Sequence, residues 1–317
     1  MDTEEADLLT GSLRELFADA SADVPRRLRE LGWDDVAAGH PAEATTLLFM
    51  EKGRALSNAA LLDEMVLPAL IADLPGGADV VCYPYPGSGS RPSSTAQDTT
   101  GILLRPPERD ERMVIPVADA RGVTLAVGVE SEFTVTPLPS LDREIGWYAV
   151  AGATPGPRYD GRAWAAGLAA AHRALAAEII AVAERALDLA VEHTGSRRQF
   201  GAPIAAFQAV RHRLADAYVA IAAARALLNA SFADGSTVAA IAAKGRAGRA
   251  HELVSANAVQ VCGAMGATLE HPLHRYVNRG AVLDTLLGSS AELTAELGSL
   301  IRVAVTSGRA IPLLVEV

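Results

Sequence analysis

Arg197-Arg198-Gln199-Phe200-Gly201 sets two guanidinium groups, an amide and an aromatic ring on adjacent positions. A guanidinium fork can pair with two phosphate oxygens at once, and an aromatic ring offers a stacking face. The string continues through Ile204 to Gln208, reading R-x-Q-F-G-x-P-I-x-x-F-Q. Alone, Arg197-Arg198 is also the basic pair that a helix C-terminus favours through its dipole. A second candidate is Gln260-Val261-Cys262-Gly263-Ala264-Met265-Gly266. Glycines at a helix end allow positive φ and let a backbone amide come close to a phosphate. The Ala264 methyl narrows that approach, and Gly263 can equally be an ordinary helix C-cap.

The elements that must carry these groups show in the hydrophobic period. Up to Pro75 the pattern is helical: Asp2 caps a helix with Leu8, Leu9, Leu13 and Phe17, Pro25 opens another that stops at Gly32, and Thr45 to Ile71 is a long, largely apolar stretch. From Gly76 to Pro157 the period changes to two, with β-branched runs at Val80-Val81, Ile102 to Leu104, Met113 to Ile115, Val123 to Val127 and Phe133 to Thr136. These predict a small antiparallel, barrel-like β domain. Pro84 to Thr95 reads as a loop. After Arg162 the helical period returns: two long antiparallel helices joined at Thr194 to Pro203, then helices near 236–260, 272–287 and 291–307. The expected fold class is α+β, with a shortened N-terminal helical domain at 1–75, a reduced middle β domain at 76–157 and a C-terminal helical bundle at 158–317.

The net charge of −10 argues against a nucleic-acid partner, which needs a basic face to displace counterions. No apolar run is long enough to span a bilayer, and Met1-Asp2-Thr3-Glu4-Glu5 lacks the features of a secretory signal, so the expected compartment is the cytoplasm. The two cysteines, Cys82 and Cys262, lack metal or redox spacing.

The ordered motif string resembles the acyl-CoA dehydrogenase family. There R-x-x-F-G reaches across a dimer interface to the adenosine and pyrophosphate of the neighbouring subunit's FAD, a Q-x-x-G-G-x-G turn follows, and an E-G-T segment supplies the general base. The resemblance makes Arg197, Gln199, Phe200, Ile204, Gln208, Gln260, Gly263, Ala264 and Ser289 the expected FAD-contacting positions. It also exposes departures. Leu287 stands at the Glu position, with no gap needed between Gln260 and Leu287. Ala171 stands at the earlier-helix position that some members use for that Glu, Ala264 replaces a glycine, and Asn278-Arg279 replaces an Arg-Asp pair. The T-E-P…G-S and W-I-T segments that hold the flavin ring are missing, and Pro84 to Thr95 stands where the first belongs.

The family's α,β-dehydrogenation needs a base at the acyl α-carbon, a role leucine cannot fill. Glu270-His271-Pro272-Leu273-His274-Arg275-Tyr276 is similar to the heteromeric actinobacterial subgroup acting on sterol side chains. The resemblance thus implies an FAD-dependent dehydrogenase subunit without its own Glu, completing the FAD site of a catalytic partner in an α2β2 assembly. The substrate would be a bulky acyl-CoA, with steroid side chains as one candidate and the shortened domains leaving it room. Two alternatives stay open: a homomeric enzyme with a relocated base, for which His172, Glu178 and Asp284 are candidates, and a non-enzymatic scaffold or acyl-CoA-binding relative.

Overall fold

The computed structural model describes residues 1–19, 23–71, 74–120 and 122–308, without the Ala267 side chain. The chain opens with α1 (Thr3–Ala18), whose first turn is capped by the Asp2 carboxylate accepting the Glu5 N–H at 2.8 Å. Helices α2 (Val24–Glu30), α3 (Trp33–Gly39), α4 (Pro41–Ala55) and α5 (Asp63–Leu70) follow. The apolar stretch from Thr45 to Ile71 is therefore not one helix. It breaks at Leu56, which turns left-handed (φ 53), and the Ser57 N–H bonds back to the Lys52 carbonyl at 3.0 Å.

A distant arginine holds the loop that follows the break. Arg279, 1% exposed, donates to the Ser57 carbonyl at 3.1 Å, to Asn58 Oδ1 at 2.6 Å and to the Asp142 carboxylate. One buried guanidinium thus fastens the 57–58 loop, the β region and the C-terminal helices together. Its donor fork can serve three acceptors in a way that an ammonium cannot.

The β region holds β1 (Val80–Val81), β2 (Asp98–Leu103), β3 (Arg112–Asp119), β4 (Gly122–Val129), β5 (Thr134–Pro137), β6 (Tyr148–Ala153) and β7 (Tyr159–Asp160). They form two sheets, ordered β1-β3-β4-β7 and β2-β6-β5. The expectation of a purely antiparallel, barrel-like unit needs correction: β1 pairs with β3 in parallel, and there are two sheets. The sheets join where the chain steps between them, the Cys82 N–H bonding Val114 O and the Tyr83 N–H bonding Ile102 O, both at 2.9 Å.

The C-terminal helices are α6 (Trp164–Ser196), α7 (Gln208–Asp234), α8 (Thr237–Cys262), α9 (Leu273–Thr285) and α10 (Ser290–Thr306). Alanine dominates the buried face of α6, which favours the helix and lets neighbours approach closely. Helix α6 runs through the centre, packing on α4 and α5 along one side and on α7, α8 and α9 along the other. Gly235 (φ 76) closes α7, and Ser236 then caps α8 by accepting the Ala239 N–H at 3.1 Å.

Candidate functional site

The Arg197 string folds where α6 hands over to α7. Arg197 ends the helix in an extended conformation, and the Ile204 N–H returns to its carbonyl at 2.9 Å. Between them β8 (Arg198–Gln199) and β9 (Ala202–Pro203) pair around Phe200 and Gly201, both at positive φ (51 and 82), as a two-residue primed hairpin turn requires. Glycine meets that requirement freely; for Phe200 it costs about 1–2 kcal/mol. The Phe200 ring is 93% exposed and touches Phe207 edge-on at 6.2 Å.

Antiparallel pairing brings the end of α8 to the same place. Arg213 Nη1 donates to Asn257 Oδ1, and Asn257 Nδ2 donates to the Arg213 carbonyl, both at 3.1 Å. Arg197, Gln199, Gln208, Gln260, Gly263 and Ala264 are all exposed at this end, with Ile204 half-buried. Gly263 (φ 60) has no atom within 4 Å of where a Cβ would stand. A diphosphate and an adenine ring fit this open end: charge, a stacking face and an approachable backbone are all present.

Ser289 is elsewhere. Helix α9 spans about 20 Å from its start near the open end to Thr285, and the turn beyond it is closed. Leu287 is left-handed (φ 58) and 1% exposed. His172 Nε2–H donates to the Leu287 carbonyl at 2.9 Å, and buried Lys244 donates to the Asp284 carbonyl at 2.9 Å and to that of Gly288. The Ser289 hydroxyl is held in a capping box with Glu292, donating to Glu292 Oε2 at 2.8 Å and accepting the Glu292 N–H at 3.3 Å. The 84–95 loop is tied down over α10 by Ser90 Oγ–H to Glu296 Oε2 at 2.6 Å, and a Cβ on Gly288 would stand 3.4 Å from the Gly89 carbonyl carbon. A flavin ring does not fit at this turn.

The candidate bases all have structural partners. Burial, with the Lys244 charge adding, pushes His172 down to about 3, so its imidazole is neutral, and its Nδ1 has no partner. Glu178 is bound to Lys52 at 2.5 Å, and burial lowers the Lys52 pKa despite that partner. Asp284 accepts the Ser290 N–H on both carboxylate oxygens at 3.1 Å, closing the first turn of α10. Ala171 is fully buried.

Beside Leu286 a cavity of about 20 Å³ is lined by Phe49, Lys52, Trp147, Leu175 and Glu178. That admits a water and no acyl chain. It meets an open groove of about 760 Å³ at Ser57 to Ala60, between the N-terminal helices and the β region. Carboxylates on the groove's lining, among them Asp23, Glu64, Asp79 and Glu108, outnumber its arginines Arg29, Arg105 and Arg275, and Arg105 and Arg275 are already paired with Glu111 and Glu144, so the net potential disfavours phosphates. The larger space is thus this open groove, while the adjoining interior cavity holds no more than a water.

Neither the Lys244 contacts nor the Arg279 clamp was foreseen from the sequence. Lys244, fully buried in an alanine run of α8, was a visible signal, because a lysine on an apolar face must find acceptors. Among the described residues no helix is long and apolar enough to cross a membrane.

Helices packed on both ends of a small two-sheet region, with a long central helix closing into a bundle, make the acyl-CoA dehydrogenase fold. Residues 160–297 match the family model described as acyl-CoA dehydrogenase, C-terminal domain. It is similar to acyl-CoA dehydrogenase IpdE2 of Mycolicibacterium smegmatis, 42% identical over 118 residues, or 37% of this chain and 38% of that one. Its similarity to IpdE2 of Mycobacterium tuberculosis is 42% over 125 residues, covering 39% of each. The matched part thus spans well under half the length of these curated relatives. Among solved structures, a variant of the Tcur3481-Tcur3483 steroid ACAD shares the fold at a TM-score of 0.81 and 24% identity, covering 96% of this chain and 99% of that one. The ChsE4-ChsE5 complex from Mycobacterium tuberculosis does so at 0.75 and 20%, covering 95% and 98%.

Proposed function

We propose that this chain is the non-catalytic subunit of a heteromeric FAD-dependent acyl-CoA dehydrogenase, completing the FAD site of a catalytic partner. One contrast carries the reading: the bundle end with Arg197, Phe200 and Gly263 is open, whereas the turn at Leu287, Gly288 and Ser289 is sealed by His172, Lys244, Glu292 and the 84–95 loop. A chain built this way offers half of a shared site. Arg197, Gln199, Phe200, Ile204, Gln208, Gln260, Gly263 and Ala264 face the partner's dinucleotide; Ser289 is kept for helix capping.

FAD, when bound, supplies the hydride acceptor. The α-proton is taken by the partner, because Leu287 and Ala171 carry no base and His172, Glu178 and Asp284 are held in other bonds. The acyl chain also rests mainly on the partner, in keeping with the 20 Å³ interior and the acidic outer groove. The names of the similar structures, a steroid ACAD and a two-component complex, favour a heteromeric assembly acting on a bulky, steroid-like acyl-CoA; its α2β2 composition and its cytoplasmic setting are part of the same proposal. Within it the chain is organised as units 1–75, 76–157 and 158–317, the last carrying the FAD contacts.

The test is the flavin content and solution mass of the chain purified alone and co-expressed with an acyl-CoA dehydrogenase encoded beside it. The expected result is a flavin-free single chain and a flavin-loaded heterotetramer. Stoichiometric FAD on the chain alone, bleached by an acyl-CoA, would overturn the proposal.

A further inference from the structure

The last turn of α6 and the loop leading into α9 bring two imidazoles together: the His193 and His271 rings meet edge to face, with centroids 5.6 Å apart. His193 and Arg197 lie four residues apart, on one face of the helix end, and the Arg197 N–H bonds the His193 carbonyl at 2.9 Å. His271 accepts the Leu273 N–H at Nδ1 (3.2 Å), which leaves its ring proton on Nε2 as a donor. His274 fixes the loop from below, its Nδ1 pairing with the His271 carbonyl at 2.8 Å.

The charges that meet His193 are Arg197 on its own helix and His271 on the loop packed against it, while neighbouring Glu192 is paired with Arg185 at 2.9 Å. Burial, then His271, then Arg197 hold the imidazole below its ordinary value. No carboxylate contributes to that balance, so a bound anion would be the group that tips it the other way.

We propose that His193, His271 and Arg197 form a phosphate cradle at the open end of the bundle, in which His193 takes up a proton as the anion binds. The ligand chemistry is a phosphate or diphosphate, gripped by the guanidinium fork, the imidazolium and the His271 Nε2–H. Atoms balance simply: solvent gives one proton to His193 and none is returned until the anion leaves. This rests on the reading of the bundle end as a nucleotide-facing surface, and adds to it two residues and a coupled proton.

The experiment uses the full chain and three probes. ADP-ribose carries a dinucleotide-type diphosphate of constant charge near neutrality, adenosine 3′,5′-bisphosphate carries a coenzyme A-type 3′-phosphate, and inorganic phosphate stands for a free anion. Histidine NMR titrations follow His193 and His271, and calorimetry in buffers of different ionisation enthalpy counts protons taken up. ADP-ribose should raise the His193 pKa by about one unit and so bind about three- to fivefold more tightly at pH 6 than at pH 8. His193→Gln should abolish the pH dependence and proton uptake, whereas Arg197→Lys should weaken binding at both pH values. A preference for the bisphosphate would support the cradle and assign it to coenzyme A. Imidazole signals unmoved by every probe, or a pH dependence that survives His193→Gln, would overturn it, and the NMR arm needs no variant. A flavin-loaded complex with an unmoved His193 removes the cradle and keeps the proposed function; a working cradle in a chain that never forms such a complex does the reverse.

Discussion

His172 Nε2 lies 2.9 Å from the carbonyl oxygen of Leu287, so the helix position next to Ala171 and the turn that follows α9 are joined by a hydrogen bond with no reaction space between them. Lys244 holds the same turn from α8. The left-handed Leu287 is therefore a fixed structural element, its conformational cost offset by His172 on its own carbonyl and by Lys244 on the flanking Asp284 and Gly288 carbonyls.

Restoring the acid at this position should not restore activity. Leu287→Glu is expected to leave the chain alone without dehydrogenation of any acyl-CoA, because the new carboxylate is buried beside His172 and Lys244. Burial of the charge should lower stability by about 2–4 kcal/mol. Dye-coupled turnover and urea unfolding check both; turnover above the wild-type background would count against a sealed turn.

Two buried groups should pull stability in opposite directions with pH. His172 sits at about 3, below its ordinary 6.5, so between those values the unfolded chain binds a proton that the fold refuses, and stability falls as pH falls. Asp63 is raised by burial to about 7 despite its 2.7 Å bond from Tyr83 and the Arg105 charge, so the fold holds a proton that the unfolded chain releases above 3.8. Its contribution is lost as pH rises through 7. Going from pH 7 to 5, each effect is about 2 kcal/mol and they offset. Relative to wild type, His172→Gln should gain stability over that step and Asp63→Asn should lose it, as measured by denaturant midpoints at the two pH values.

At the open end the expectation separates folding from assembly. Phe200→Ala should leave the unfolding of the isolated chain within about 0.5 kcal/mol of wild type, since the ring is 93% exposed. Arg197→Ala should behave the same way, and each should lower the flavin bound per co-expressed complex by tenfold or more under dilution. Unchanged flavin retention would favour a scaffold without a cofactor role.

Arg279→Ala should be the most damaging of these changes, costing about 3–5 kcal/mol, because it strands the Asp142 carboxylate and frees the Ser57 carbonyl and Asn58 side chain. Arg279→Lys should recover only part of the loss. Urea unfolding measures both, and a cost under 1 kcal/mol would mean the three layers are held by apolar packing alone.

The helical ends of the chain are legible because their apolar period is long and some of their start signals are local, as with the Asp2 cap of α1 and the start of α8 at Ser236. Strand β6 was missed because Tyr148-Ala149-Val150-Ala151-Gly152-Ala153 has little β-branching, and it is a strand because β2 and β5 bond it on both edges. The parallel β1–β3 pairing and the break at Leu56 depend on partners far away in sequence. For the site, residue types carried the Arg197 string, while the sealing of the Leu287 turn required Lys244, His172 and Ser90 to converge from three elements, which no spacing within one segment records.

Phe200 projects from its hairpin with almost all of its ring in water, and Leu269 is 87% exposed on the loop after α8. Apolar rings and branches in that setting attract any similar surface, including that of another copy. In the proposed assembly, the balance of synthesis between this chain and its partner would thus set how much of that apolar surface stays in water.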